Sequence, residues 1–161
     1  MKNDAEETPF ILAAREGRLH FLEFMYKKYS ISTFNPDHRS LDGWTAFTYA
    51  SINGYVNTVE FLANTVKVNI HTTDRFRRTA IHWAARYNNV SVFELLLSLG
   101  LNYQALDCES MTPMELAKAF NADDIVDIIL FKQRTAATTI AERGSVRMRR
   151  TSPATKKGTS K

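Results

Sequence analysis

The residues that could catalyse a reaction or hold a metal ion are scattered along this sequence. The four histidines, His20, His38, His71 and His82, fall in different predicted elements. Nucleophilic catalysis needs a nucleophile, a base and an orienting group together, and a metal site needs closely spaced ligands. The single cysteine, Cys108, has no second cysteine with which to form a disulfide or a metal-binding pair. The sequence therefore predicts no enzyme, no cofactor and no metal site.

Three nearby carboxylates, Asp123, Asp124 and Asp127, resemble an acidic cluster. They fall in the first turns of a predicted helix, where acidic side chains interact favourably with the helix dipole. We therefore interpret them as helix-start charges rather than as ligands or catalytic groups.

The charge is distributed unevenly along the 161 residues. Residues 1–131 hold 12 Lys+Arg and 16 Asp+Glu, a net charge of −4, whereas residues 132–161 hold nine Lys+Arg and one Glu, a net charge of +8. Attraction to an acidic partner is therefore assigned first to the tail. No long apolar run occurs and the N-terminus is polar, so we expect neither secretion nor membrane insertion. The lone cysteine favours the cytoplasm or the nucleus.

An internal repeat organises the first four-fifths of the chain. The aligned segments are TPFILAAREG (8–17), TAFTYASING (45–54), TAIHWAARYN (79–88) and TPMELAKAFN (112–121). Their threonines lie 37, 34 and 33 residues apart. Threonine can cap a helix start, proline is tolerated at the first helical position, and the final Gly or Asn tolerates a left-handed C-cap. Each segment therefore predicts one short helix.

A second apolar helix is predicted after each of these stops. Pairs of apolar residues recur at i, i+1, i+3 and i+4, the pattern of a buried helical face. The predicted second helices cover residues 19–26, 56–63, 90–99 and 125–131. A single helical hairpin cannot bury its apolar face, so the hairpins are expected to stack.

The repeated segment resembles the Thr-Pro-Leu-His-x-Ala signature of ankyrin repeats, and its period near 33 residues is similar to that of this family. The resemblance covers residues 8–131 and implies an all-α ankyrin-repeat solenoid with short finger turns between repeats. It departs from the family at the turn glycine, which is present at Gly43 but replaced by Arg77 and Ser110. The implied domains are an N-terminal extension (1–7), four repeats (8–39, 40–73, 74–106 and 107–131) and a basic tail (132–161).

The resemblance also implies where a partner binds, namely the concave face made by the finger turns and the first helices. The third repeat combines arginine and aromatic side chains there, the residue types enriched in interface hot spots. The candidate partner-binding residues are Trp44, Arg75, Phe76, Arg77, Arg78, Arg86, Tyr87 and Phe120. They predict a partner with acidic and apolar groups, whereas the competing interpretation is that the charges are solvated and the rings pack inward. By the same resemblance, His82 braces its turn through hydrogen bonds.

The basic tail is predicted to form a weak helix to about residue 143, ended by Gly144, and then to be disordered or bound to a partner. Its electrostatic residues are Arg147, Arg149, Arg150, Lys156 and Lys157, and Ser152 is a candidate phosphorylation site before Pro153. The tail is interpreted as a solvating segment, as a nuclear-import or nucleic-acid patch, or as an arm for an acidic protein surface such as a microtubule.

Two functions follow as hypotheses. The first is a non-catalytic adaptor or scaffold that binds a protein partner, without a cofactor and without a membrane. The alternative is a structural component of a large cytoskeletal or nucleic-acid assembly, anchored by the tail. We expect a cytoplasmic protein, associated with the cytoskeleton or located in the nucleus under the alternative.

Overall fold

The computed structural model describes residues 3–29 and 34–149, with side chains described as far as residue 138 in the last helix. This part of the chain contains helices and turns, without strands. The helices are α1 (Pro9–Arg15), α2 (Leu19–Lys28), α3 (Ala46–Ile52), α4 (Val56–Phe61), α5 (Ala80–Arg86), α6 (Val90–Ser98), α7 (Pro113–Ala119) and α8 (Asp123–Arg149). A short π-helical segment, Leu62–Val66, continues α4. The all-α repeat fold predicted from the sequence is confirmed.

The inner helices begin as predicted at the repeated threonines. The side chains of Thr8, Thr45 and Thr112 each accept a hydrogen bond from the backbone N–H three residues later. At the predicted stops, Gly17, Gly54, Asn88 and Asn121 all have φ between 55° and 77°. Left-handed backbone at these positions turns the chain into the outer helix, which is why Gly or Asn recurs there.

The chain divides into two compact units, with the boundary between Asp127 and Ile128. In the first unit, inner helices α1, α3, α5 and α7 pack in that order, and outer helices α2, α4 and α6 form a second layer. The repeated alanines Ala50, Ala84 and Ala117 are fully buried, which lets neighbouring inner helices approach closely. Phe10, Phe47 and Phe93 are the largest fully buried side chains. The core therefore depends on contacts between repeats rather than within one hairpin.

Four finger turns precede the inner helices, at residues 3–7, 40–44, 74–78 and 107–111. In each turn the first residue donates its N–H to the carbonyl of the fifth and accepts a hydrogen bond from the N–H of the fourth. Residues 3–7, which the sequence analysis set apart as an extension, therefore form the finger turn of the first repeat. This turn is hard to recognise from the sequence, because the first residue differs between the turns. It is Asn3 here and Ser40, Asp74 and Asp107 in the others.

The last helix is longer than the sequence predicts. The expected end near residue 143 is wrong, because α8 continues through Gly144 to Arg149. One glycine inside a helix costs only about 1 kcal/mol relative to alanine, so it does not by itself end a helix. The remaining tail lies outside the described residues. Part of the connection between the first two repeats, residues 30–33, also lies outside them.

The fourth residue of each finger turn has a left-handed backbone, with φ of 57° at Glu6, 81° at Gly43, 59° at Arg77 and 61° at Ser110. We expect Ser110→Gly to raise the free energy of unfolding by about 0.5–1 kcal/mol, because glycine adopts this conformation without strain. The reverse exchange, Gly43→Ser, is expected to lower it by about 1–2 kcal/mol, since a Cβ there lies only 3.2 Å from the Asp74 Cα. Urea denaturation measures both changes. Equal stability of the two variants would contradict the strain argument.

Candidate partner-binding face

A buried carboxylate, Asp74, organises the third finger turn. Its Oδ1 accepts hydrogen bonds from the backbone N–H groups of Phe76 (2.8 Å) and Arg78 (2.9 Å). Its Oδ2 accepts from the indole N–H groups of Trp44 (3.2 Å) and Trp83 (2.9 Å). The two indoles consequently meet edge to face, with ring centroids 5.1 Å apart. Asp74 thereby fixes both the turn and the two largest aromatic side chains beside it.

Arg78 links the third and fourth finger turns. Its Nε donates to Asp107 Oδ2 (2.8 Å) and its Nη2 donates to Glu109 Oε2 (3.2 Å). Burial raises the pKa of Asp107, but hydrogen bonds from the Met111 and Glu109 N–H groups and from Arg78 outweigh it, so that the pKa lies below its usual range. Arg78 is only 7% exposed. The prediction that Arg78 faces a partner is therefore wrong, because the side chain is buried and its guanidinium binds the carboxylates of Asp107 and Glu109.

Arginine and aromatic side chains alternate across the third and fourth repeats. The Arg78 guanidinium lies 5.4 Å from the Phe76 ring centroid and 5.6 Å from that of Trp83. The Arg86 guanidinium lies 5.3 Å from the Trp83 centroid and 4.0 Å from that of Phe120. We call the five side chains Phe76, Arg78, Trp83, Arg86 and Phe120 the arginine–aromatic ladder. Cation–π contacts of this kind are each worth about 0.5–2 kcal/mol.

The ends of the ladder face solvent. Phe76 and Phe120 are 43% and 47% exposed, and Tyr87, which also contacts Arg86, is 49% exposed. Arg75 and Arg77 flank Phe76 and are exposed too. Arg75 is paired with Asp42 (3.1 Å) and also donates to the Leu41 carbonyl of the preceding finger turn. Of the eight predicted residues, Arg75, Phe76, Arg77, Tyr87 and Phe120 are exposed, Trp44 and Arg86 are half-buried, and Arg78 is buried.

His82 has the bracing role that the sequence resemblance implied. Its Nδ1 accepts from the Thr79 N–H (3.2 Å), and its Nε2 lies 3.0 Å from the Ala105 carbonyl. Burial lowers the pKa of His82, although the Ala105 carbonyl and the nearby carboxylates Asp107 and Asp74 oppose this shift. The side chain is fully buried. His82 is therefore a structural group and is not available to a ligand.

Two important residues were missed from the sequence, Asp74 and Asp107. Both open a finger turn and stand five residues before a capping threonine, as Asn3 and Ser40 also do. This common position was the signal that could have revealed them. It predicts the turn hydrogen bonds, whereas the contacts of Asp74 with Trp44 and of Asp107 with Arg78 depend on neighbouring repeats.

The side chains of the predicted electrostatic residues of the tail lie outside the described part of the structure. Arg147 and Arg149 lie in the backbone of α8, but their side chains are outside the described part, as are Arg150, Ser152, Lys156 and Lys157. Among residues 3–29 and 34–149, no group of three or more His, Cys, Asp or Glu side chains is placed to bind a metal ion. The same residues include no helix with the length and apolarity needed to span a membrane.

The stacked hairpins and their exposed turns define a helical-repeat solenoid. The family description "Ankyrin repeats (3 copies)" matches residues 1–74 and 64–142. The chain therefore belongs to the ankyrin-repeat family, whose members are generally non-catalytic and bind protein partners.

Three relatives share parts of the sequence. A putative ankyrin repeat protein of Acanthamoeba polyphaga mimivirus is 38% identical over 60 residues, which is 37% of this chain and 8% of the relative. A putative ankyrin repeat protein of Rickettsia bellii is 27% identical over 71 residues, or 44% and 39% of the two chains. The ARF GTPase-activating protein Git of Drosophila melanogaster is 36% identical over 73 residues, or 45% and 10%. The chain thus spans well under half the length of these relatives.

Proposed function

We propose that this protein is an adaptor or scaffold that binds a protein partner on the face formed by the finger turns and inner helices of its third and fourth repeats. The observation that carries the proposal is the arginine–aromatic ladder, with Phe76 and Phe120 exposed at its ends and Tyr87 beside it. Large rigid aromatic side chains next to arginine are typical of interface hot spots, because they bury much area with little loss of entropy.

The charges on this face support a partner that offers both acidic and apolar groups. Arg75 and Arg77 are exposed beside Phe76, and Arg86 adjoins Phe120 and Tyr87. The tail, with its net charge of +8, is proposed as a separate second contact with an acidic protein surface or with nucleic acid. The exposed free thiol of Cys108 supports a cytoplasmic or nuclear location, where thiols stay reduced.

Quantitative affinity purification with a matched pair of variants tests the proposed face. The double substitution Arg86→Ala/Phe120→Ala removes a cation–π pair on this face. We expect the specific partner to be recovered about tenfold or more weakly, since hot-spot residues each contribute at least about 1–2 kcal/mol. Mass spectrometry of the captured proteins gives the measurement.

The matched control is Phe24→Ala/Lys28→Ala, which removes a cation–π pair on the outer helix α2, where Lys28 Nζ lies 5.1 Å from the Phe24 ring. This variant is expected to capture the partner as well as the unsubstituted chain does. Equal capture by both double variants, or selective loss with the α2 pair, would rule out the proposed face.

The alternative function, a structural component anchored by its tail, is supported by the concentration of nine Lys+Arg in residues 132–161. Deleting these residues separates the two functions. An adaptor keeps its partner after the deletion, whereas an anchored component loses its cellular location.

A further inference from the structure

Three arginines in the described part of the chain pack on aromatic rings, and two of them also bind a carboxylate. Arg15 lies over Tyr49 and pairs with Glu7 (2.7 Å), and Arg78 lies over Trp83 and pairs with Asp107 (2.8 Å). Arg86 lies over Phe120 but has no carboxylate within 4.0 Å among the described side chains. Among the described side chains, Arg86 therefore lacks the carboxylate partner that Arg15 and Arg78 both have.

The guanidinium of Arg86 is held in place. Trp83, Tyr87 and Phe120 all lie within 5.7 Å of it, and two of these rings are half exposed. Rings contact the faces of a guanidinium, and its N–H groups point outward in the plane between those faces. These N–H groups lie in one plane, and two of them can donate parallel hydrogen bonds to the two oxygens of a carboxylate. Because three rings already restrict the Arg86 side chain, it loses less conformational entropy when a ligand binds than an arginine without such contacts does.

We propose that Arg86 is the carboxylate-binding residue of the partner face, taking an Asp or Glu side chain of the partner beside an apolar residue that packs on Phe120 and Tyr87. This proposal rests on the proposed function and refines it. Arg78 contacts the same Trp83 ring, but it is buried and its Nε and Nη2 already donate to Asp107 and Glu109. Arg77, which is exposed and left-handed, provides charge without a fixed direction.

Selection from a displayed library of random short peptides on the folded full-length chain tests this assignment. The best peptide is synthesised with its acidic residue and with the isosteric amide, Glu→Gln or Asp→Asn, and each version is measured against the unsubstituted chain and Arg86→Gln. The unsubstituted chain is expected to bind the acidic peptide about tenfold or more tightly than the amide, as a charge-assisted hydrogen bond predicts. With Arg86→Gln, that preference is expected to fall to about twofold or less.

Arg18→Gln is the control for general electrostatics, since it removes the same charge from an exposed arginine of the first repeat, outside the proposed face, and is expected to keep the full preference for the acidic peptide. Circular dichroism of both variants checks that they remain folded. Selected peptides that lack an acidic residue, a preference that survives Arg86→Gln, or a selection with no peptide that depends on Arg86 would each overturn the assignment. Peptides that depend on Phe120 without preferring an acid overturn only the carboxylate assignment and leave the proposed face intact.

Discussion

Asp74→Ala is expected to lower the free energy of unfolding by about 3–5 kcal/mol, because it leaves several buried hydrogen-bond donors without an acceptor. Four donors lose their acceptor at once, namely the N–H groups of Phe76 and Arg78 and the indoles of Trp44 and Trp83. A domain of this size is stable by about 5–15 kcal/mol, so the variant is expected to lose a large fraction of its stability. Urea denaturation followed by tryptophan fluorescence measures the change and also reports on both indoles.

Asp42→Ala is the matched control, because Asp42 is an exposed acid in the neighbouring finger turn that pairs with Arg75. A solvent-exposed ion pair contributes at most about 1 kcal/mol. A loss of stability with Asp42→Ala as large as that with Asp74→Ala would mean that finger-turn acids act through general charge, and the role given to the Asp74 hydrogen bonds would be wrong.

The helices could be predicted from the sequence because their boundaries depend on local chemistry. A threonine that caps its own helix and a Gly or Asn that turns the chain act within a few residues, and the structure places them where the repeat predicts. The same local information failed at Gly144, where a predicted helix end was overridden by neighbouring residues with good helix propensity, including Ala141 and Arg143.

The orientation of the arginines could not be predicted, because it depends on contacts between repeats. Arg75, Arg77 and Arg78 are close in sequence and chemically identical, yet only Arg78 reaches the carboxylate of Asp107, 29 residues later. Composition indicates that this region is rich in arginine and aromatic residues. The acids of the next finger turn decide which guanidinium is buried. They are about 30 residues away in sequence, so the residues around the arginines do not reveal the contact.

Under the proposed function, stability and recognition share residues in this fold. Asp74 holds Trp83 from one side, while Arg78 and Arg86 both contact its ring. Loss of Asp74 is therefore expected to disturb the support of Arg86 as well as the finger turn. Binding measurements on variants of this network need a parallel stability measurement, whereas Arg77 and Phe120 can be changed with less effect on the core, since both are exposed.

His82→Ala is expected to lower the free energy of unfolding by about 2–4 kcal/mol near pH 7.5, because it leaves a cavity and removes hydrogen bonds to Thr79 and Ala105. The Thr79 N–H donates to Nδ1, so the neutral ring must carry its proton on Nε2, which donates to Ala105. A second proton would have to bind Nδ1, where it would face the Thr79 N–H and remove the acceptor of that hydrogen bond. This geometry agrees with the lowering of the His82 pKa by burial.

The sign of the pH dependence follows from this lowered pKa. Below pH 6.5, the ordinary value, the unfolded chain binds a proton at His82 that the folded chain does not bind, so acid favours unfolding. His82 thus gives a stability that is constant above that pH and falls as the pH decreases towards the folded-state pKa, by at most about 1.4 kcal/mol per pH unit. Glu7 and Asp107 add a further loss at lower pH. Burial raises the pKa of both acids, but their hydrogen bonds outweigh it. The pKa therefore lies below the ordinary value of 4.5 for Glu7 and below the ordinary value of 3.8 for Asp107.

Denaturation from pH 7.5 to 5 separates His82 from the other histidines. His82→Ala is expected to lose the part of the pH dependence that comes from His82. His20→Ala, at a fully exposed position, is expected to change the free energy of unfolding at pH 7.5 by less than about 0.5 kcal/mol. An unaltered slope in His82→Ala would mean that His82 titrates alike in the folded and unfolded states. Its hydrogen bonds to Thr79 and Ala105 would then no longer account for the acid sensitivity of the repeat.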